Sequence, residues 1–292
     1  LLGDSDTRTT TALLELAAAM HAQGDYRGAQ PLLDEWVSIV LRQRPETTDV
    51  RAHQLMDLSS VYQFRGKPDL AERLGRDAVQ TYAALYGERH PKYANALSEL
   101  ASILDGNGKR READSLFHHS VDLLRAVYPD GHPDLVAALQ LWAVDLEHQG
   151  RYLEAEPLAR EQIAMARRFE GKDNPNLVDG EVILSGALTE TGRYEEAVTL
   201  ASDAKRRLRL NYPETSPLVR RVDVALGAAL VRTGKFAQAE SLLLPAFKAF
   251  ESGRGFSRHS RENAIAALVR LYEAQGRHAE AAKYDSLRHP IP

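Results

Sequence analysis

The chain has 292 residues, 43% of them hydrophobic and 27% charged, with a formal net charge of −4 and no cysteine. That balance is typical of a globular protein and offers no broad attraction for phosphate backbones or anionic lipid. The absence of thiols excludes disulfides, thiolate zinc sites and a thiol nucleophile. The longest nearly apolar stretch, Leu135 to Val144, is interrupted by Gln140 and falls far short of the ~20 residues a membrane helix requires. The opening LLGDSD has no basic region feeding an apolar one. The expectation is a cytoplasmic segment of a longer protein, with no membrane insertion and no nucleic-acid partner.

Residues 1–10 read as a lead-in. From Thr11, Leu13, Leu16 and Ala17 are followed by Gly24 and then by Ala29 in a second amphipathic run. The order returns at fixed 42-residue steps, with glycines at Gly24, Gly66, Gly108, Gly150, Gly192, Gly234 and Gly276. Five residues after each stands alanine: Ala29, Ala71, Ala113, Ala155, Ala197, Ala239 and Ala281. Eight residues before stand Leu16, Leu58, Leu100, Trp142, Leu184, Leu226 and Leu268, each followed by a small residue except in the last unit, which has Val269. A gap that never drifts makes each repeat one structural unit stacked on its neighbours.

HEAT-type helices and propeller blades share periods near this length, so local pattern has to choose. In the fourth unit Leu135, Leu139, Trp142 and Leu146 follow helical spacing, and Tyr152, Ala155, Leu158 and Ile163 follow it again after Gly150. Glycine permits the left-handed turn that reverses the chain, and alanine permits close approach of the two helices. Pro91, Pro133, Pro175 and Pro217 mark where the next first helix begins. First helices are thus predicted near 92–106, 134–148 and 176–190, and second helices near 109–127, 151–169 and 193–211. The expected fold is all-α, with fourteen helices in seven pairs from residue 11 to 289, no sheet, and a tail at 290–292.

The combination of L-A, then glycine, then alanine five residues on resembles the tetratricopeptide repeat. The 42-residue unit, with HP before the first helix and AEPL in the second (Ala155 to Leu158, compare AQPL from Ala29), resembles the long repeats of kinesin light chains and many bacterial proteins. The resemblance implies a right-handed superhelix whose first helices line a concave groove that binds peptides or protein segments. In kinesin light chains asparagines in an L-N-N-L-A run are characteristic of groove recognition. Here the run is Leu97-Ser98-Glu99-Leu100-Ala101, without asparagine at those places in any unit, so ligand identity does not carry over. Alanine- and arginine-rich repeats of this style also resemble helical arrays fused to bacterial serine/threonine kinases and other signalling proteins.

Few side chains suggest chemistry. Asp114, His118 and Asp122 repeat at four-residue spacing on one helix, but Phe117 and Val121 take the inward positions and turn His118 toward solvent, so no metal site is expected. GNGKR, Gly106 to Arg110, lacks the spacing of a phosphate loop and is the repeat turn. SGRGFSRHSR, Ser252 to Arg261, reads as a solvated loop, with binding of a phosphate or an acidic strand as its alternative. His90 and His132 in the H-P link read as structural. No catalytic motif, metal site or cofactor site stands out, and no cofactor is expected.

One pair of units breaks the core pattern. Where others have leucine or isoleucine three residues before the L of L-A, the fifth and sixth units have Glu181 and Asp223, and the fifth has Lys205 where Val37, Val79, Val121, Ile163 and Phe247 are apolar. A second helix packs between its own first helix and the next, so the expectation is a partly buried Glu181–Lys205–Asp223 cluster. Concave positions carried over from the repeat are Asn95, Ser98, Asp105, Gln140, Glu147, Asp179 and Glu190, then Arg221, Arg232, Asn263 and Arg270. They predict a groove acidic in its middle and basic toward its C-terminal end. The functional expectation is a non-catalytic protein-interaction scaffold holding a peptide or protein segment. The alternatives are a regulatory or self-associating segment of a larger bacterial signalling protein, and an enzyme whose site is assembled from distant residues.

Overall fold

A computed structural model describes residues 7–22, 26–42, 48–169, 174–251 and 258–288. Among them are fourteen helices and no strand. The first helices of the seven pairs are α1 (Thr7–Ala22), α3 (Asp49–Phe64), α5 (Pro91–Gly106), α7 (Pro133–His148), α9 (Pro175–Glu190), α11 (Pro217–Arg232) and α13 (Arg258–Ala274). The second helices are α2 (Tyr26–Arg42), α4 (Pro68–Tyr86), α6 (Arg110–Val127), α8 (Tyr152–Phe169), α10 (Tyr194–Leu208), α12 (Phe236–Glu251) and α14 (His278–Asp285). Two ends depart from expectation: α1 starts at Thr7, inside the supposed lead-in, and α10 stops at Leu208 rather than near 211. Gly24 and most of the 252–261 loop lie outside the described residues.

The turn chemistry of each unit is local. After α7, Gly150 takes φ 73°, Arg151 N–H donates to Leu146 carbonyl at 2.8 Å and Gly150 N–H to Glu147 carbonyl at 3.0 Å. These two bonds satisfy carbonyls that the helix end would leave open. The link between units is closed by the residue before proline: His90, His132 and Asn174 each accept a backbone N–H two residues on, at 3.2, 3.1 and 2.7 Å. Proline then occupies the first helical position, where its missing N–H costs nothing. The histidines of the H-P link are therefore helix caps, steadied by ring stacking of Tyr86 on His90 and Tyr128 on His132.

Packing follows the small residues. All seven register alanines are at most 1% exposed, which holds the paired backbones close. Where serine replaces alanine opposite them, its hydroxyl donates across the crossing, as Ser59 does to the carbonyl of Ala71 at 2.5 Å. Gly227 is the extreme case, since a Cβ there would lie 2.6 Å from Leu243 Cγ. Each helix packs on the next, and from α3 to α13 each first helix also packs on the next first helix, which makes an inner layer. Hydrophobic clusters centred on residues 17–103, 94–197 and 178–281 overlap along the solenoid as a continuous core.

Between units a second pattern recurs. The basic residue after the register glycine reaches an acid in the preceding unit's second helix: Lys109 to Glu72 at 2.7 Å, Arg151 to Asp114 at 2.8 Å, Arg193 to Glu156 at 2.5 Å and Arg277 to Glu240 at 3.2 Å. The equivalent partners of Lys67 and Lys235 are Gln30 and Val198, so the ladder has no ionic rung between the first and second units or between the fifth and sixth.

The three irregular core charges are buried, with Glu181 2%, Asp223 0% and Lys205 8% exposed. Lys205 is ion-paired to Asp223 on α11, which Arg220 also contacts at 2.9 Å. Glu181, however, is not bound by Lys205. Arg207 on α10 and Arg167 on α8 close on it from either side, because a long guanidinium can reach inward from the surface along its methylenes. The expected single cluster is two separate ones.

Candidate functional site

The inner layer opens into one well-formed pocket across α7, α9, α11 and α13, with about 1010 Å³ of space when the solvent in its mouth is counted. Short side chains make it. Gly186 on α9, Ala225 and Ala228 on α11, and Ala266 on α13 lie along its lining, where longer residues would fill the gap between neighbouring first helices. Val144, Val182, Ile183 and Val224 supply apolar wall, and Tyr152, from the start of α8, borders it. Apolar walls with a few convergent polar groups are the usual make-up of a binding site.

The charges of the pocket are ordered by pairing. Asp179 is bound by Arg221 and also accepts from Gln140 Nε2 at 2.8 Å. Glu190, at the end of α9, is bound by Arg270 of α13, a contact that passes over α11 and bridges two units. Glu147 has no hydrogen bond or ion pair to its carboxylate among the described residues. Its room exists because position 186 is glycine: a Cβ there would stand 2.7 Å from Glu147 Oε1. Burial, aided by the repulsion of Glu190 and opposed by Arg221, pushes the Glu147 carboxyl up to about 7. Burial first, then Glu190 and Glu147, raises the Tyr152 phenol as well.

Seven predicted groove residues come together here: Gln140, Glu147, Asp179, Glu190, Arg221, Asn263 and Arg270. Four do not line the pocket. Ser98 is 1% exposed and bonded to the Ser120 hydroxyl at 2.6 Å, inside the α5–α6 contact. Asp105 accepts from Gln149 at 2.8 Å at the repeat turn, and Arg232 donates to the Tyr194 hydroxyl at 2.9 Å. Asn95 is half-buried on α5, two first helices away from the pocket's centre. The predicted separation of charge is corrected too, since Arg221 of the sixth unit and Arg270 of the seventh are tied to acids of the fifth.

Of the residues weighed for metal binding, Asp114 is held by Arg151 and Asp122 contacts Arg125 at 3.4 Å, while exposed His118 packs its edge on Trp142. Among the described residues no three or more histidines, aspartates or glutamates are grouped to hold a metal ion. No described helix is long and apolar enough to cross a membrane. The pocket's small residues and Tyr152 escaped sequence reasoning. Their signal was there, as Gly186 and Ala228 share the register of Val144 and Arg270 in neighbouring units.

Solved structures with the same architecture include the nearly identical TPR-like repeats of a protein from Podosopora anserina described as a kinesin light chain, at 22% identity and TM-score 0.61, covering 68% of this chain and 94% of that one. NprR in complex with its cognate peptide NprX matches at 12% identity and TM-score 0.63, covering 100% of this chain and 80% of that one. A Rap protein complexed with Competence and Sporulation Factor matches at 14% and TM-score 0.60, covering 97% and 76%. No curated protein sequence matches the chain. Tetratricopeptide-repeat profiles match residues 51–126 and 134–209, and again 10–35 and 220–245. With the 42-residue helix pairs, register glycines and buried alanines described above, this chain belongs to the tetratricopeptide-repeat family, in its long, kinesin-light-chain-like form.

Proposed function

We propose that the protein is a non-catalytic interaction scaffold that holds an extended peptide, or an exposed segment of a partner protein, along its inner layer, with the pocket of units four to seven as the main anchor. The observation that carries this reading is the pocket itself. It is a concavity between consecutive first helices, opened by Gly186, Ala225 and Ala228 and walled by valines. Two of its three carboxylates are neutralised by arginines, which suits recognition more than proton transfer. The solved relatives NprR and Rap, each in complex with its named partner, support peptide binding as a use of this architecture. The test is panning of a random peptide library on the full chain, followed by Ala228→Trp to fill the pocket. Selected peptides should lose at least tenfold in affinity on Ala228→Trp while the melting temperature stays within a few degrees. Unchanged affinity would remove the pocket from the binding surface.

A further inference from the structure

The pairing of charges decides what the pocket can take. Arg221 is bound to Asp179 and Arg270 to Glu190, so both cations are already engaged in the wall. Glu147 is different. Among the described residues no donor reaches its carboxylate. The ionisable groups bordering the same space are Asp179 and Glu190 of α9, Arg221 of α11, Arg270 of α13 and Tyr152 of α8. Of these, Glu190 repels it, and Arg221, which attracts it, is shared with Asp179.

An anion entering the pocket would have to share an arginine with that arginine's own carboxylate and lie near Glu147. A cation would meet an acceptor that is in place and uncommitted. The surroundings suit a cation on a long apolar stem, because Val144, Val182, Ile183 and Val224 offer surface to methylenes while the carboxylate takes the head. Gly186 serves the same arrangement by leaving the Glu147 carboxylate the space it occupies.

We propose that this pocket is a subsite for one cationic side chain, lysine or arginine, of the bound peptide, with its charged head on Glu147 and its methylenes against the valine wall. The subsite rests on the groove reading above, and the two can fail separately. Charge complementarity selects the occupant: a segment basic at the inserted position and apolar beside it.

The experiment uses acetylated, amidated, dye-labelled nonapeptide pools with Ala, Val, Leu and Ser randomised at the flanks. The central residue is fixed as lysine, arginine, norleucine or glutamate. Binding to the full chain, to Glu147→Gln and to Glu147→Lys is followed by anisotropy, and folding by thermal melting. The lysine or arginine pool should bind at least tenfold more tightly than the norleucine and glutamate pools. Glu147→Gln should melt no lower than the parent yet bring that preference close to one, and Glu147→Lys should turn it toward glutamate. A parent chain that prefers norleucine or glutamate, or a Glu147→Gln variant that keeps the lysine or arginine preference, overturns the cation subsite and leaves the groove reading standing. Binding by no pool, or binding indifferent to Ala228→Trp, overturns both.

Discussion

Nη1 of Arg151 lies 2.8 Å from both carboxylate oxygens of Asp114, in the second helix of the preceding unit. The contact fastens the turn of one repeat to the body of another, and Lys109–Glu72, Arg193–Glu156 and Arg277–Glu240 repeat it. Both partners are about 29% exposed, so the pair is screened by solvent and contributes modestly. Arg151→Met should lower stability by about 1 kcal/mol, and a double-mutant cycle with Asp114→Asn should give a coupling of roughly 0.5–1 kcal/mol that shrinks in molar salt. Urea titration measures it; a coupling of zero would reduce the ladder to geometry without energetic meaning.

Lys205 and Asp223 occupy positions that are apolar in most other repeats, and Asp223 has no exposed surface. Removing the lysine alone leaves a buried carboxylate with only Arg220 beside it. Lys205→Met should cost about 3 kcal/mol. The double change Lys205→Val with Asp223→Leu restores the repeat's usual core residues and should come out neutral or stabilising. If the single and double variants lose the same stability, the pair is not what the aspartate depends on.

Glu147 carries a pH dependence whose sign can be worked out. Its folded pKa is raised, to about 7, above an ordinary 4.5. Between those values the folded chain holds a proton that the unfolded chain has released, so stability falls as pH rises through the window. The cost of the buried charge is absent below 4.5 and complete above 7. Glu147→Gln should therefore be more stable than the parent by about 1 kcal/mol at pH 8, after allowance for solvent in the pocket mouth, and the advantage should vanish toward pH 4. Melting curves at several pH values decide it, and an advantage that grows in acid would contradict the burial.

Two helical glycines look alike in sequence and should answer substitution oppositely. At Gly227 an added Cβ meets Leu243 Cγ at 2.6 Å, and Leu243 is wholly buried with no room to retreat. Gly227→Ala should cost about 1–3 kcal/mol as overpacking. At Gly186 the Cβ meets Glu147 Oε1 at 2.7 Å, the free end of a side chain that can swing into the pocket. Alanine's better helix propensity, about 1 kcal/mol, then prevails, and Gly186→Ala should be neutral or stabilising by calorimetry while narrowing the pocket.

These contrasts show what the sequence could tell. Gly150, Ala155 and Pro133 were legible because each acts through its own backbone or its nearest crossing, and a fixed period repeats that signal along the chain. Register was less decisive where side-chain length matters. Ser98 and Gln140 hold the same place in successive units, yet serine is short enough to stay in the helix contact on Ser120, while glutamine extends to Asp179. Partners of buried charge were least legible. Lys205 has the right register to sit between Glu181 and Asp223, but Glu181 is taken by Arg167 and Arg207, whose reach no periodicity records.

One of the two missing rungs, at Val198, falls between units five and six, where the bodies of two hydrophobic clusters also meet. A stack of repeats gains cooperativity from its junctions, and here Lys205–Asp223 and Asp179–Arg221 carry the ionic tie that the ladder omits. The pocket spans that same junction, with α7 and α9 on one side and α11 and α13 on the other. A molecule lodged there would act as a further rivet across the seam, adding its contacts to those two pairs. Occupancy would then be felt as stiffness along the whole rod as well as affinity at one point.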